Sequence, residues 1–66
     1  MAHYITQSEG QAVVFSFDDK TGRLMMDMLG KEYFCGKLLG DERTSSIVKS
    51  TIKAAIAAYQ QGRWVV

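Results

Sequence analysis

The sequence predicts an α+β fold: an antiparallel β-meander of three to four strands packed against one C-terminal α-helix, ended by a short strand or tail. Three observations predict it. Glycines at 10, 22, 30, 36, 40 and 62, with no proline, divide the 66 residues into short runs. The runs before residue 40 alternate apolar and polar side chains with a period of two, as half-buried strands do. The run from Thr44 to Gln61 instead repeats its apolar residues at helical spacing. With 66 residues and no linker or low-complexity stretch, residues 1–66 read as a single domain.

Residues 2–7 are expected to form a first short strand, and Ser8-Glu9-Gly10 a turn. Residues 11–17 are the clearest strand, with Val13, Phe15 and Phe17 on one face and Val14 and Ser16 on the other. Asp18 to Gly22 reads as a hairpin loop, opened by acidic side chains and closed by a glycine that tolerates positive φ. Residues 23–29 alternate Leu24, Met26 and Met28 with Arg23, Met25, Asp27 and Leu29. Gly30-Lys31 is expected to be a two-residue turn. Residues 32–38 return as another strand, in which Gly36 suggests a bulge or a close backbone approach. Asp41, Thr44 or Ser45 can cap the helix, because their side-chain oxygens accept amide hydrogens of the first turn. Val48, Ile52, Ala55, Ile56 and Tyr59 form its docking stripe, and Gly62 stands where a left-handed closing residue belongs.

Composition limits the function. Lys and Arg number 8 against 7 Asp and Glu, a net charge of +1. The charge is uneven: residues 1–35 are mildly acidic and residues 36–66 mildly basic. This excludes an acidic DNA mimic and is too weak to mark a dedicated nucleic-acid binder. One cysteine, Cys35, allows no internal disulfide. With His3 as the only histidine, a structural zinc site lacks ligands, and no cofactor is expected. The free thiol and the lack of a secretory signal or long apolar run predict a cytoplasmic chain with no membrane association.

No motif points to catalysis. His3 and Cys35 would make a nucleophile–base pair only on adjacent strands, and no carboxylate is placed to orient the histidine. Asp18, Asp19 and Asp27 lack the ligand spacing of a calcium loop. Gly30-Lys31 and Gly36-Lys37 lack the following Ser or Thr of a phosphate-binding loop.

Two features exceed the needs of one small core. Val14, Met25 and Leu29 point away from the helix-facing side of the sheet, and with Tyr4 or Phe34 they make an apolar patch, unless the tail Trp64-Val65-Val66 covers it. Ile47, Thr51, Ala54 and Ala58 flank the helical stripe, giving an apolar arc of about 200° against the roughly 100° that suffices. The chain is therefore expected to be a non-enzymatic protein-interaction module, a regulator or inhibitor that occupies a partner protein's surface. Its size suits an accessory protein of the kind that phages and mobile elements encode. The candidate interface residues are Val14, Met25, Leu29, Ile47, Ala54, Ala58 and Trp64. A chain too short for comfortable stability, without disulfide or metal, is also expected to form a homodimer. The alternative is a small nucleic-acid-binding domain that contacts phosphates through Lys49, Lys53 and Arg63.

Overall fold

The computed structural model describes residues 2–65, and the part of the tail at Val66 lies outside them. The strands are β1 (Ala2–Ser8), β2 (Gln11–Asp18), β3 (Arg23–Met28) and β4 (Lys31–Phe34), joined in the sheet order β1-β2-β3-β4 with every neighbour antiparallel. Helix α1 (Cys35–Gly40) and helix α2 (Ser46–Gln60) follow. The predicted α+β meander with its main helix at the C-terminus is the observed architecture.

Each hairpin turn has a local cause. Glu9 and Gly10 both take positive φ, 55° and 79°, giving the two-residue turn whose twist matches that of the strands. Asp18 accepts the Lys20 amide at 3.0 Å through its side chain and the Gly22 amide at 2.7 Å through its carbonyl, and Gly22 closes the loop at φ 71°. The third turn is Leu29-Gly30, one residue earlier than the expected Gly30-Lys31, with φ of 57° and 74°. An apolar residue at the end of an alternating run reads as strand. Here it bears a left-handed backbone that bulky residues rarely adopt.

The largest correction concerns residues 35–38. The fourth strand stops at Phe34, and Cys35–Gly40 is a short helix. The helix carries Cys35 into the core and packs Leu38 and Leu39 against it, which a continued edge strand would not do. Gly36 is therefore not a strand bulge. A Cβ there would lie 2.5 Å from Phe34 Cε1, so the close approach is by an aromatic ring. Asp41 also takes a different role from the expected cap. Its carboxylate accepts the Arg43 amide at 2.9 Å and shapes the link between the helices. Ser45 caps α2, accepting the Val48 amide at 3.4 Å.

Both helices lie on one face of the sheet, α2 over β1 and α1 over β3 and β4. The core between the layers is Val13, Phe15, Met26, Cys35, Ile52, Ala55, Ala58 and Trp64. The buried arc of α2 is turned from the expected stripe toward Ala58, while Tyr59 keeps nearly half its surface exposed. Ala58 was a candidate interface residue and is instead fully buried, because a small side chain there lets the helix sit close to the aromatic cluster. Past α2, Gly62 at φ 71° reverses the chain, with Arg63 donating to Ala58 O and Gly62 to Tyr59 O. Trp64 then turns into the inner layer and does not cover the outer sheet face. Its Nε1 donates to Ala55 O at 2.9 Å, and its ring stacks on Tyr4 and meets Tyr59 edge-on. Trp64 is therefore a core residue rather than an exposed interface residue. Val65 pairs with His3 through two backbone hydrogen bonds of 2.7 and 2.8 Å.

Two stability measurements follow by urea denaturation. Ile52 is fully buried, so Ile52→Ala lowers stability by about 2–5 kcal/mol; a loss under about 0.5 kcal/mol would mean the docking face is wrongly assigned. Leu29→Asn, which gives an Asn-Gly turn and relieves a bulky residue of its left-handed backbone, raises stability by about 1 kcal/mol.

Candidate interaction surface on the outer sheet face

Because α1 and α2 share the inner face, no described element covers the other. The register fixes what that outer face carries. In an antiparallel pair, residues directly opposite point to the same side. One row across the sheet is His3, Ser16, Met25 and Phe34, extended at the β1 edge by Val65 opposite His3. The neighbouring row is Ile5, Val14, Asp27 and Glu32. Arg23 lies beyond the first row, opposite Asp18. Ile5 is 71 % exposed, Val65 73 % and Phe34 40 %, whereas Val14 and Met25 are half-buried by their neighbours. The face is thus apolar through Ile5, Val14, Met25, Phe34 and Val65.

Two electrostatic details mark this face. The Arg23 guanidinium stands 5.4 Å from the centre of the Phe34 ring, within cation–π range. Asp27 and Glu32 are directly opposite one another on β3 and β4, a like-charge placement that costs stability. Among the described residues the single ion pair is Arg43–Asp41, so neither carboxylate has a cationic partner there.

The sequence-derived candidates separate on this geometry. Val14 and Met25 lie in the centre of the outer face. Leu29 is 74 % exposed but sits in the β3–β4 turn. Ile47 and Ala54 are exposed on α2, but with Ala58 buried the small-residue flank is broken. Thr51 within it is tied down, donating to Ile47 O at 2.9 Å and lying 3.3 Å from Ser8 Oγ. Lys49 is half-buried and Lys53 exposed on α2, whereas Arg63 lies beyond the helix in a groove with His3, Ile5 and Val65. Phe34 lies beside Met25 on this face, as the sequence suggested. Ile5 and Val65 escaped the sequence reading of this surface, because the alternation of β1 is weak and Val65 needed the tail's pairing. Tyr4 belongs to the inner layer, against Trp64.

The groups that could do chemistry are scattered. His3 is on β1, and Cys35 begins α1 beyond β4, so the two sit at opposite edges of the sheet. No cluster of three or more His, Cys, Asp or Glu able to hold a metal occurs among the described residues. Beside α2 lies a cleft of about 240 Å³ lined by Phe17, Leu24, Ile56, Tyr59 and Trp64. Its exposed walls are apolar. No described helix is long and apolar enough to cross a membrane. No family model, curated protein or solved structure matches the chain.

Cys35 is fully buried, and burial pushes its thiol up to about 11 from its ordinary 9.0. The neutral thiol is a poor nucleophile at neutral pH. The linkage has a definite sign. Between those two values the unfolded chain releases a proton that the folded chain keeps, so stability falls as pH rises. Cys35→Ala removes that component: between about pH 8 and pH 11 the wild type loses about 2–3 kcal/mol more than the variant. Denaturant titrations across that range measure the difference, and parallel pH curves for the two proteins would contradict it.

Proposed function

We propose that this chain is a small non-enzymatic protein-interaction module, a regulator or inhibitor that acts by occupying a protein surface through its outer sheet face. One observation carries the reading: a four-stranded sheet with both helices on one side and, on the open side, Ile5, Val14, Met25, Phe34 and Val65 set among polar residues. Exposed apolar side chains gathered on one face and rimmed by polar residues mark interaction sites. Methionine at its centre adapts to the shape of whatever it meets. The scattered His3 and Cys35, and the raised thiol of the latter, supply no catalytic unit to compete with this reading. A free thiol suits a reducing, cytoplasmic setting.

The nucleic-acid alternative draws less support. Lys49 and Lys53 share α2, but Arg63 lies apart from them, beyond the end of the helix. The open sheet face presents Asp27 and Glu32, which repel phosphate.

Affinity capture with three baits tests the proposal: wild type, Met25→Lys and Lys53→Glu, each checked for an unchanged fold by circular dichroism. The expected result is a protein ligand held by wild type and Lys53→Glu and weakened about tenfold or more by Met25→Lys. Capture of nucleic acid instead, released steeply by salt and lost in Lys53→Glu, would replace the proposal with its alternative.

A further inference from the structure

We infer that the outer face is occupied by a second copy of this chain, packed face to face about a two-fold axis that passes over Met25. This rests on the outer face being the interaction surface, where a second copy competes with any other protein.

The argument begins with β3. Arg23, Met25 and Asp27 are successive outward-pointing residues on that strand. A cation, an apolar side chain and an anion therefore follow one another, with the outer two about 13 Å apart. Such a series is complementary to itself when reversed. An axis lying between two facing sheets and perpendicular to their strands supplies the reversal. It runs each β3 antiparallel to its copy, with every strand above its own counterpart. Met25 then faces Met25, and Phe34 faces Phe34. Each Arg23 faces Asp27 of the second copy, and symmetry makes the contact twice. Facing sheets stand about 10 Å apart and cross within about 30°. An arginine reaches across that gap.

Two features fit this arrangement. The opposed Asp27 and Glu32 lack a cation among the described residues. In the pair, the incoming Arg23 provides one beside both carboxylates. Arg23 is solvent-exposed and stands over the outer face, 5.4 Å from the centre of the Phe34 ring. Its guanidinium is thus positioned before association, which lowers the ordering cost of making the contact. A basic partner of another kind would satisfy Asp27 and Glu32 but leave Arg23 facing a like charge. A nucleic acid would satisfy Arg23 and oppose the carboxylates. A second copy satisfies all three. The surface covered includes Met25, Phe34 and Val65, all in the row along the axis, which supplies the apolar contact.

Charge reversal tests the geometry independently of any heterologous ligand. Sedimentation equilibrium of the wild type at tens of micromolar is expected to show twice the chain mass. Arg23→Glu and Asp27→Lys each weaken association about tenfold or more, because each places like charges face to face. The double variant Arg23→Glu/Asp27→Lys restores it, since the reversed series is again self-complementary. Mixing the two single variants in equal amounts restores it as well, as a heterodimer. Circular dichroism confirms that each variant is folded. A monomeric wild type at that concentration, or single variants that dimerise as well as wild type, would overturn the two-fold arrangement. If the monomer still loses a captured protein on Met25→Lys, only self-pairing fails and the interaction-surface reading stands. A dimer indifferent to Met25→Lys would overturn the two-fold arrangement over Met25, while capture by the Met25→Lys bait decides the interaction-surface reading separately.

Discussion

The indole of Trp64 joins the three parts of this fold. Its Nε1 hydrogen donates to the Ala55 carbonyl on α2. Its ring stacks on Tyr4 of β1, with centroids 5.8 Å apart, and meets Tyr59 edge-on at 5.3 Å. Phe15 of β2 lies beside it. One side chain thus links the tail to the helix and to two strands, and its single polar group is satisfied. Ala55 and Ala58 are small where the indole and the sheet approach, so the helix comes close without forcing rotamers. The geometry depends on Gly62, whose left-handed backbone turns the chain back at the end of α2. Val65 is then delivered to His3 at the sheet edge, where it shields part of β1 from further strand pairing.

That arrangement decides what remains outside. Trp64, turned into the inner layer, does not cover the outer face, and two helices on one side leave the other to solvent. A chain of 66 residues has no further element among the described ones to place there. The outer face is therefore the consequence of how the inner one is closed. Its opposed Asp27 and Glu32 are a like-charge placement that costs the domain stability. The unfavourable left-handed backbone of Leu29 at the adjoining turn is another local cost carried near this surface.

The titratable groups tell a complementary story. Cys35 is held in the core by the first turn of α1, and its thiol is kept neutral by desolvation. Its contribution is volume between the sheet and the two helices. His3 is exposed at the far edge, on the opposite face.

Much of this could be read from the residues. The alternation in β2 and β3 assigned Val13, Phe15, Phe17, Leu24, Met26 and Met28 to one side and Val14, Met25 and Asp27 to the other, because a period of two leaves no freedom once one face is apolar. Gly62 and the α2 stripe were legible for the same local reason, glycine's backbone freedom and the helical period. The sequence alone did not determine the course of residues 35–40, since Cys-Gly-Lys-Leu-Leu suits a strand as well as a helix, and burial against β3 decided between them. It did not place the Leu29-Gly30 turn, because a leucine in left-handed backbone is stabilised by the pairing of β3 with β4 and not by its own preference. It left Trp64 and Ala58 on either side of the surface, for a tryptophan in a tail and an alanine on a helix carry no local instruction about what they meet. Only the packed layers, in which the indole fits over the alanines, settled that both face inward and that the outer sheet face is left open.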